Sequence, residues 1–357
     1  MSIRASALFE EFRRNGLLLA MTGEDAVIEG VGPVEDCSPG DLVFVDRKEF
    51  VEPALQGGPA AVITTGELAA AFATDAKLAV LTAPDVTLAR ALVTQRFFDR
   101  DLRPEGTPRV DPSAAIAETA EVAATARIGA NVYVGPGAKV GEETVILANA
   151  VIEEHAVVGD RTVIHPGVVV GFECRIGNEV IIGAGTVIGS EGFGFAQDKE
   201  RRSHRIPQMG WVEIEDRVVI GSNCCLDRGT HAATRIGAGT IMDNLCHVAH
   251  NVETGEDCIL TAMLCVAGST RLGNRVITSG MTGILDHLTI ADDVVLVQRA
   301  GVGNDVKQPG VYAGSPVMPL KEYMKNQAAL RRISSMRDAI KQLEKRLSAL
   351  ESDSADA

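Results

Sequence analysis

The sequence predicts a mainly β protein whose body is a parallel β-solenoid, preceded by a small α/β domain and followed by an α-helix. Every sixth residue from 110 to 188 is aliphatic: Val110, Ile116, Val122, Ile128, Val134, Val140, Ile146, Ile152, Val158, Ile164, Val170, Ile176, Ile182 and Ile188. A fixed period marks one structural unit stacked on itself, and no ordinary helix or sheet keeps a period of six for so long. Glycine follows many of these residues, as at Gly129, Gly135 and Gly141, and small residues often sit two before them, as at Ala114, Ala120 and Ala126. Each hexapeptide then supplies a short strand and a corner, with the aliphatic side chain stacked inward on its equivalents. Composition agrees: 4% aromatic residues and 36 glycines suit a core of Val, Ile and Ala with corners that need positive φ.

Residues 1–109 do not repeat. Segment 8–14 reads as a helix, and 26–31, 42–45, 60–64 and 78–82 read as short strands. Asp85 is placed to cap a helix running to Phe98. Alternating short strands and helices make a small α/β domain. The solenoid occupies 110–312. Its period returns from Ile236 through Met242, Val248, Thr254, Leu260, Val266, Leu272, Thr278, Ile284, Ile290, Leu296 and Val302, while Ile214, Ile220 and Leu226 keep the spacing in a shifted phase. Residues 190–212 are therefore an inserted loop, with a second small insertion near 229–233. Such insertions leave one face of a solenoid and often form binding surface. Pro309, Gly310 and Pro316 close the repeats. The remaining segment, 313–357, carries a helix over 319–351. Its apolar residues Ile333, Met336, Ile340, Leu343, Leu347 and Leu350 alternate three and four apart, a heptad seam that must be buried against something. The solenoid's own surface could cover it; self-association is the reading we favour.

Several function classes are disfavoured. A net charge of −14 argues against nucleic-acid binding. No run of 18 apolar residues offers a spanning helix, and the first residues lack the apolar core of a secretion signal. The seven cysteines (Cys37, Cys174, Cys224, Cys225, Cys246, Cys258, Cys265) form no CxxC pair and read as reduced core thiols of a cytoplasmic protein. Charge is uneven, however: Lys321, Lys325, Arg331, Arg332, Arg337, Lys341, Lys345 and Arg346 are opposed locally by Glu322, Asp338 and Glu344.

A solenoid core does not need histidine, yet His247, His250 and His287 cluster in the second run. Three hexapeptides make a triangular coil, so Gly268, which follows Val266 as His250 follows Val248, lies one coil beyond His250, about 4.8 Å along the axis. His287 lies two coils and one residue beyond, on the same edge. Neutral imidazole is a general base near pH 7, and a glycine N–H can approach an oxyanion unobstructed. Spacing alone leaves two alternatives: corner histidines that touch solvent or a neighbouring subunit, and zinc ligands shared across a subunit boundary, as in carbonic anhydrases built on this solenoid.

The stretches FGFAQDKERRSHRIPQMGWVEIEDRVVIG, CCLDRGTHAATRIGAGTIMDNLCHVAHNV and PGVYAGSPVMP, with SPGDLVFV near the start, resemble the UDP-3-O-(3-hydroxyacyl)glucosamine N-acyltransferases of lipid A synthesis. The family's GFGF, IPQ, DRG, IDN and AHNV motifs match Gly192 to Phe195, Ile206 to Gln208, Asp227 to Gly229, Met242 to Asn244 and Ala249 to Val252. The resemblance implies a homotrimer of left-handed parallel β-helices with active sites between subunits. It implies transfer of a 3-hydroxyacyl group from acyl carrier protein to the 2-amine of a UDP-3-O-acylglucosamine, without metal, cofactor or covalent intermediate. His250 matches the family's base, His287 its second active-site histidine, Gly268 its oxyanion amide and Asp243 an acidic residue near the base. Gln208 and Asn244 fall in motifs implied to bind substrate. His247 stands where the family often has glutamine, so it receives no catalytic role.

In the first domain the family's F-x-x-N-P-K-Y uracil site reads Phe44-Val45-Asp46-Arg47-Lys48-Glu49-Phe50. Both aromatic positions persist. Arg47 replaces the asparagine and, being donor-only, cannot repeat an amide's paired contacts, though it could stack on a base or meet phosphate. Gly301 and Gly303 stand where the family often carries larger residues that limit the acyl groove, and Asn304 where a basic residue is common. Arg331 and Arg332 on the basic terminal helix are the expected contact for acidic carrier protein. Competing readings are a hexapeptide acyltransferase with another nucleotide-sugar amine or a coenzyme A donor, a zinc-dependent hydratase on the same fold, and a non-catalytic scaffold.

Overall fold

The computed structural model describes residues 2–73, 77–102, 106–314 and 320–355. The chain forms two compact units, Met1–Pro104 and Glu105–Ala357. The first holds a five-stranded sheet in the order Ala20–Thr22, Ala79–Thr82, Ala61–Thr64, Asp41–Val45, Gly30–Val31, with only the first pair antiparallel. The helix Ala5–Arg13 buries Ala5, Leu8 and Phe12. The helix Val86–Phe97 begins as anticipated, with the Asp85 carboxylate accepting the Leu88 N–H at 2.9 Å. Two short helices, Val51–Gly57 and Ala69–Phe72, and the strand Ala20–Thr22 carry no clear pattern in sequence.

The second unit is a left-handed parallel β-helix. Among the described residues its three faces contain ten, ten and nine parallel strands. One coil shows the scheme. Ile241–Met242 lies on the first face, His247–Val248 on the second and Glu253–Thr254 on the third. Met242 and Val248 point inward and are buried, as are the earlier repeat residues from Ile128 to Ile188. Replacing one of these, such as Ile182, by alanine would cost about 2–5 kcal/mol.

Both insertions are visible in the register. Arg175 pairs with Glu213, and Trp211 with Ala233, rather than with residues eighteen positions on. The longer insertion leaves the edge between second and third faces and carries an antiparallel hairpin of Phe195–Gln197 and Ser203–Arg205.

The three edges differ in chemistry, seen at the corner residues with positive φ. Between third and first faces they are charged: Arg161 pairs with Glu179 at 2.8 Å and Arg275 with Asp293 at 2.7 Å. Between first and second faces they include Leu245, Met263 and Met281 in successive coils, all with φ 62° and about half exposed. Large apolar side chains are uncommon in this backbone region. Beside them, Ile181, Ile241, Ile259 and Ile277 project outward from the first face and are also partly exposed. The edge between second and third faces carries His250 and His287.

The C-terminal segment forms two helices, Leu320–Leu330 and Ile333–Ala355, not one. Arg331 and Arg332 occupy the break, where the Arg332 N–H bonds the Ala329 carbonyl three residues back at 3.0 Å, a turn tighter than α. Ile333, Met336, Ile340, Leu343 and Leu347 are all more than half exposed, so the solenoid does not cover the seam. The side chain of Leu350 lies outside the described residues. Four cysteines, Cys174, Cys224, Cys246 and Cys258, are buried as anticipated; Cys265 is exposed and Cys37 and Cys225 are partly exposed. No helix among the described residues is long and apolar enough to cross a membrane.

Candidate active site

The structure stacks His250, Gly268 and His287 on the edge between second and third faces. The Ser269 N–H bonds the His250 carbonyl at 2.9 Å, and the His287 N–H bonds the Gly268 carbonyl at 3.0 Å. The His250 imidazole is gripped from two sides. A Cβ added to Gly268 would lie 2.6 Å from His250 Cε1, and one added to Gly192, from the long insertion, would lie 2.8 Å from His250 Cβ. Neither position can carry a side chain without moving the ring.

A hydrogen-bonded chain fixes the ring's other side. Asn251 Nδ2 lies 3.0 Å from His250 Nδ1. The Asn251 Oδ1 accepts the Thr230 backbone N–H at 2.9 Å, so the amide must present its NH2 to the ring. That NH2 also reaches the Thr230 hydroxyl at 3.0 Å, and the hydroxyl donates to Gln208 Oε1 at 2.8 Å. Gln208 is buried, and its own NH2 bonds the Ile206 carbonyl at 2.9 Å. Nδ1 is thus an acceptor at rest, and neutral His250 carries its proton on Nε2. This assignment follows from the network. Gln208, expected as a substrate ligand, is instead two residues behind the ring.

The Gly268 N–H has no hydrogen-bond partner among the described residues. At the same corner position on another edge such donors are capped: the Glu142 N–H by Asp160 at 2.8 Å, the Asn274 N–H by Asp292 at 2.9 Å. An uncapped donor beside an imidazole is what an oxyanion requires. His287 is 76% exposed at its side chain, with Nε2 3.9 Å from Asp286.

On the outer surface of the second face, Cys225, His247, Cys265, Gly283 and Gly301 are successive register partners. The two glycines open an apolar groove of about 450 Å³, lined by Cys265, Ala267, Gly283, Leu285, Gly301 and Gly303.

Asp243 and Asn244 are not part of this edge. They follow the strand Ile241–Met242 and sit between first and second faces, next to Leu245. Asp243 is therefore not beside the base within one chain, because seven residues carry the backbone to the next corner; the carboxylate that interacts with His250 is that of Asp227. Asn244 Oδ1 accepts the Ser222 N–H at 2.7 Å, and its own N–H bonds Asp243 Oδ1 at 2.7 Å. Nor do His247, His250 and His287 form one ligand set: the metal-competent grouping among the described residues joins His247 to Cys225 and Asp227.

In the first unit, Phe44 lies on the strand Asp41–Val45, partly buried against that domain's core. Phe50 packs on a second, smaller cluster. The Arg47 guanidinium lies 4.7 Å from the Phe50 ring centroid and pairs with Glu49 at 3.3 Å and Asp46 at 3.6 Å. Arg47 therefore already stacks on its own phenylalanine. Arg331 and Arg332 are exposed. Gly192 and Asn251 lie in the GFGF and AHNV motifs but received no role from the sequence, and Thr230, just past the DRG motif, was not singled out.

A family model of the GMPPB C-terminal domain matches residues 110–192. The UDP-3-O-acylglucosamine N-acyltransferase of Methylococcus capsulatus (strain Bath) is 52% identical over 350 residues, covering 98% of this chain and 99% of its own. The enzyme of the same name from Anaeromyxobacter sp. (strain Fw109-5) is 36% identical over 88% of this chain and 89% of its own. Among solved structures, an Arabidopsis UDP-N-acetylglucosamine acyltransferase matches 64% of this chain and 81% of its own at 22% identity, with a TM-score of 0.49.

Proposed function

The chain belongs to the UDP-3-O-acylglucosamine N-acyltransferases, and from that membership we propose that it transfers a 3-hydroxyacyl group from acyl carrier protein to the 2-amine of UDP-3-O-(3-hydroxyacyl)glucosamine in lipid A biosynthesis, in the cytoplasm. The observation that carries the reading is the pairing of His250 with the uncapped N–H of Gly268 across one coil.

The chemistry balances without a metal or covalent intermediate. The amine attacks the thioester carbonyl, forming a C–N bond. His250 Nε2 takes the ammonium proton, the Gly268 N–H stabilises the tetrahedral oxyanion, and the C–S bond breaks. The proton then passes from His250 to the thiolate. A single oxyanion donor is worth ~3–4 kcal/mol in comparable sites. To accept a proton at Nε2 the ring must hold its own on Nδ1. Half a turn of the Asn251 amide, which gives up its bond to the Thr230 N–H, would present Oδ1 to Nδ1 and supply that tautomer. His287 completes the site from the same edge. The groove over Gly283 and Gly301 suits the acyl chain.

The apolar edge of Leu245, Met263 and Met281 and the uncovered seam of Ile333 to Leu347 both favour a homotrimer. A neighbour lying along the first-to-second edge would bring Asp243 and Asn244 of one subunit toward His250 of the next. Phe44 is assigned to the uracil, with Arg47 held by Phe50 and Glu49. Arg331 and Arg332 are assigned to the carrier protein. A thermal-shift screen tests the substrate class. UDP-sugars and charged acyl carrier protein should each raise Tm, and stabilisation by coenzyme A thioesters instead would favour another hexapeptide acyltransferase.

A further inference from the structure

Cys225, Asp227 and His247 form a cluster outside the hydrogen-bonded chain that holds His250. Cys225 and Asp227 are two apart on one strand, so both side chains go outward while Leu226 goes to the core. His247 is the register partner of Cys225 on the next strand. One ligand atom from each of the three, a sulfur, a carboxylate oxygen and a ring nitrogen, lie within 4.8 Å of one another. Cys225 Sγ is 3.9 Å from Asp227 Oδ1, and His247 Nε2 is 3.8 Å from Asp227 Oδ2. Bonds of ~2.0–2.3 Å around tetrahedral zinc put donor atoms roughly 3.3–3.6 Å apart. Closure therefore needs side-chain shifts of up to roughly 1 Å, within reach of rotation at the partly exposed His247.

A second observation is the state of the carboxylate. Asp227 is only 5% exposed, yet no lysine or arginine among the described residues pairs with it. Ser190 donates its hydroxyl to Asp227 Oδ1 at 2.7 Å and so orients the carboxylate from behind, as partners of metal ligands do.

We propose that Cys225, Asp227 and His247 bind a divalent cation of the zinc class, with a fourth position open to solvent. Sulfur, imidazole and carboxylate together select zinc over magnesium or calcium.

The full-length protein, dialysed against Zn2+, should retain about one ion per chain and release protons as the thiol ionises. Co2+ serves as the spectroscopic probe: a thiolate-to-cobalt band in the near ultraviolet should appear, vanish in Cys225→Ser and persist in Cys265→Ser, which alters the exposed thiol one strand away. His247→Gln changes a side chain 42% exposed and should weaken binding at least tenfold without loss of fold. Retention well below one ion per chain, a band that survives Cys225→Ser, or wild-type affinity in His247→Gln would overturn the site.

Discussion

Asn251 Nδ2 lies 3.0 Å from His250 Nδ1, and the Thr230 N–H on Asn251 Oδ1 dictates which end of the amide faces the ring. The proposed base is thereby tied to the residue after it and, through that residue, to a backbone amide 21 positions before Asn251. Aspartate at 251 would offer acceptors to both neighbours and fix the Nδ1–H tautomer directly. Asn251→Asp should keep at least wild-type kcat. Asn251→Leu, similar in size but without polar atoms, should lower kcat at least tenfold with KM nearly unchanged. Steady-state kinetics of the two variants decide it: an Asp variant as slow as the Leu variant contradicts the tautomer argument.

The apolar edge should be an interface. Sedimentation of the purified protein should report about three chains at micromolar concentration. Met263→Lys with Met281→Lys should dissociate the assembly while leaving the circular dichroism of the β-helix intact, because both side chains project outward. The dissociated chain should be inactive, since Asp243 and His250 stand on different edges. A monomer with full activity would remove the trimer from the account.

Phe44 should contact the nucleobase. Because it also packs on its domain's core, Phe44→Leu is the informative change: it keeps apolar bulk and loses the aromatic face. KM for the nucleotide-sugar should rise several-fold with kcat held, the signature of lost uniform binding. Unchanged KM would return Phe44 to a packing role. Arg47→Asn should leave nucleotide binding in place, because the guanidinium is already engaged by Phe50 and Glu49.

Reversing Arg331 and Arg332 to Glu should raise KM for the acyl carrier substrate several-fold, more strongly at low salt, and leave KM for the nucleotide-sugar alone. Complementary surface charge mainly speeds encounter and is screened by salt. Equal effects on both substrates would assign the helix to assembly only.

The β-helix was legible because every coil needs an aliphatic residue pointing inward from each face, and Val110 to Ile188 supply it without a break. The same count of eighteen placed Gly268 beside His250. The apolar edge was not legible: Leu245, Met263 and Met281 look like ordinary apolar residues in a chain rich in them, and only their exposure in a left-handed backbone sets them apart. The Asn251 network was hidden because Thr230 meets it across the second small insertion, which breaks the eighteen-residue register. The place of Asp243 was available to counting, since one hexapeptide and one residue separate it from His250. The resemblance obscured that. The break at Arg331 and Arg332 leaves no mark in the heptad pattern, which begins only at Ile333.

His250 is the base of the proposed N-acyl transfer. Its most direct test is the turnover of His250→Ala with 3-hydroxyacyl-acyl carrier protein and UDP-3-O-(3-hydroxyacyl)glucosamine as substrates. A positioned base contributes ~10²–10⁴-fold, so kcat should fall by that factor while KM for the nucleotide-sugar changes little. Turnover within a few-fold of wild type would contradict the account.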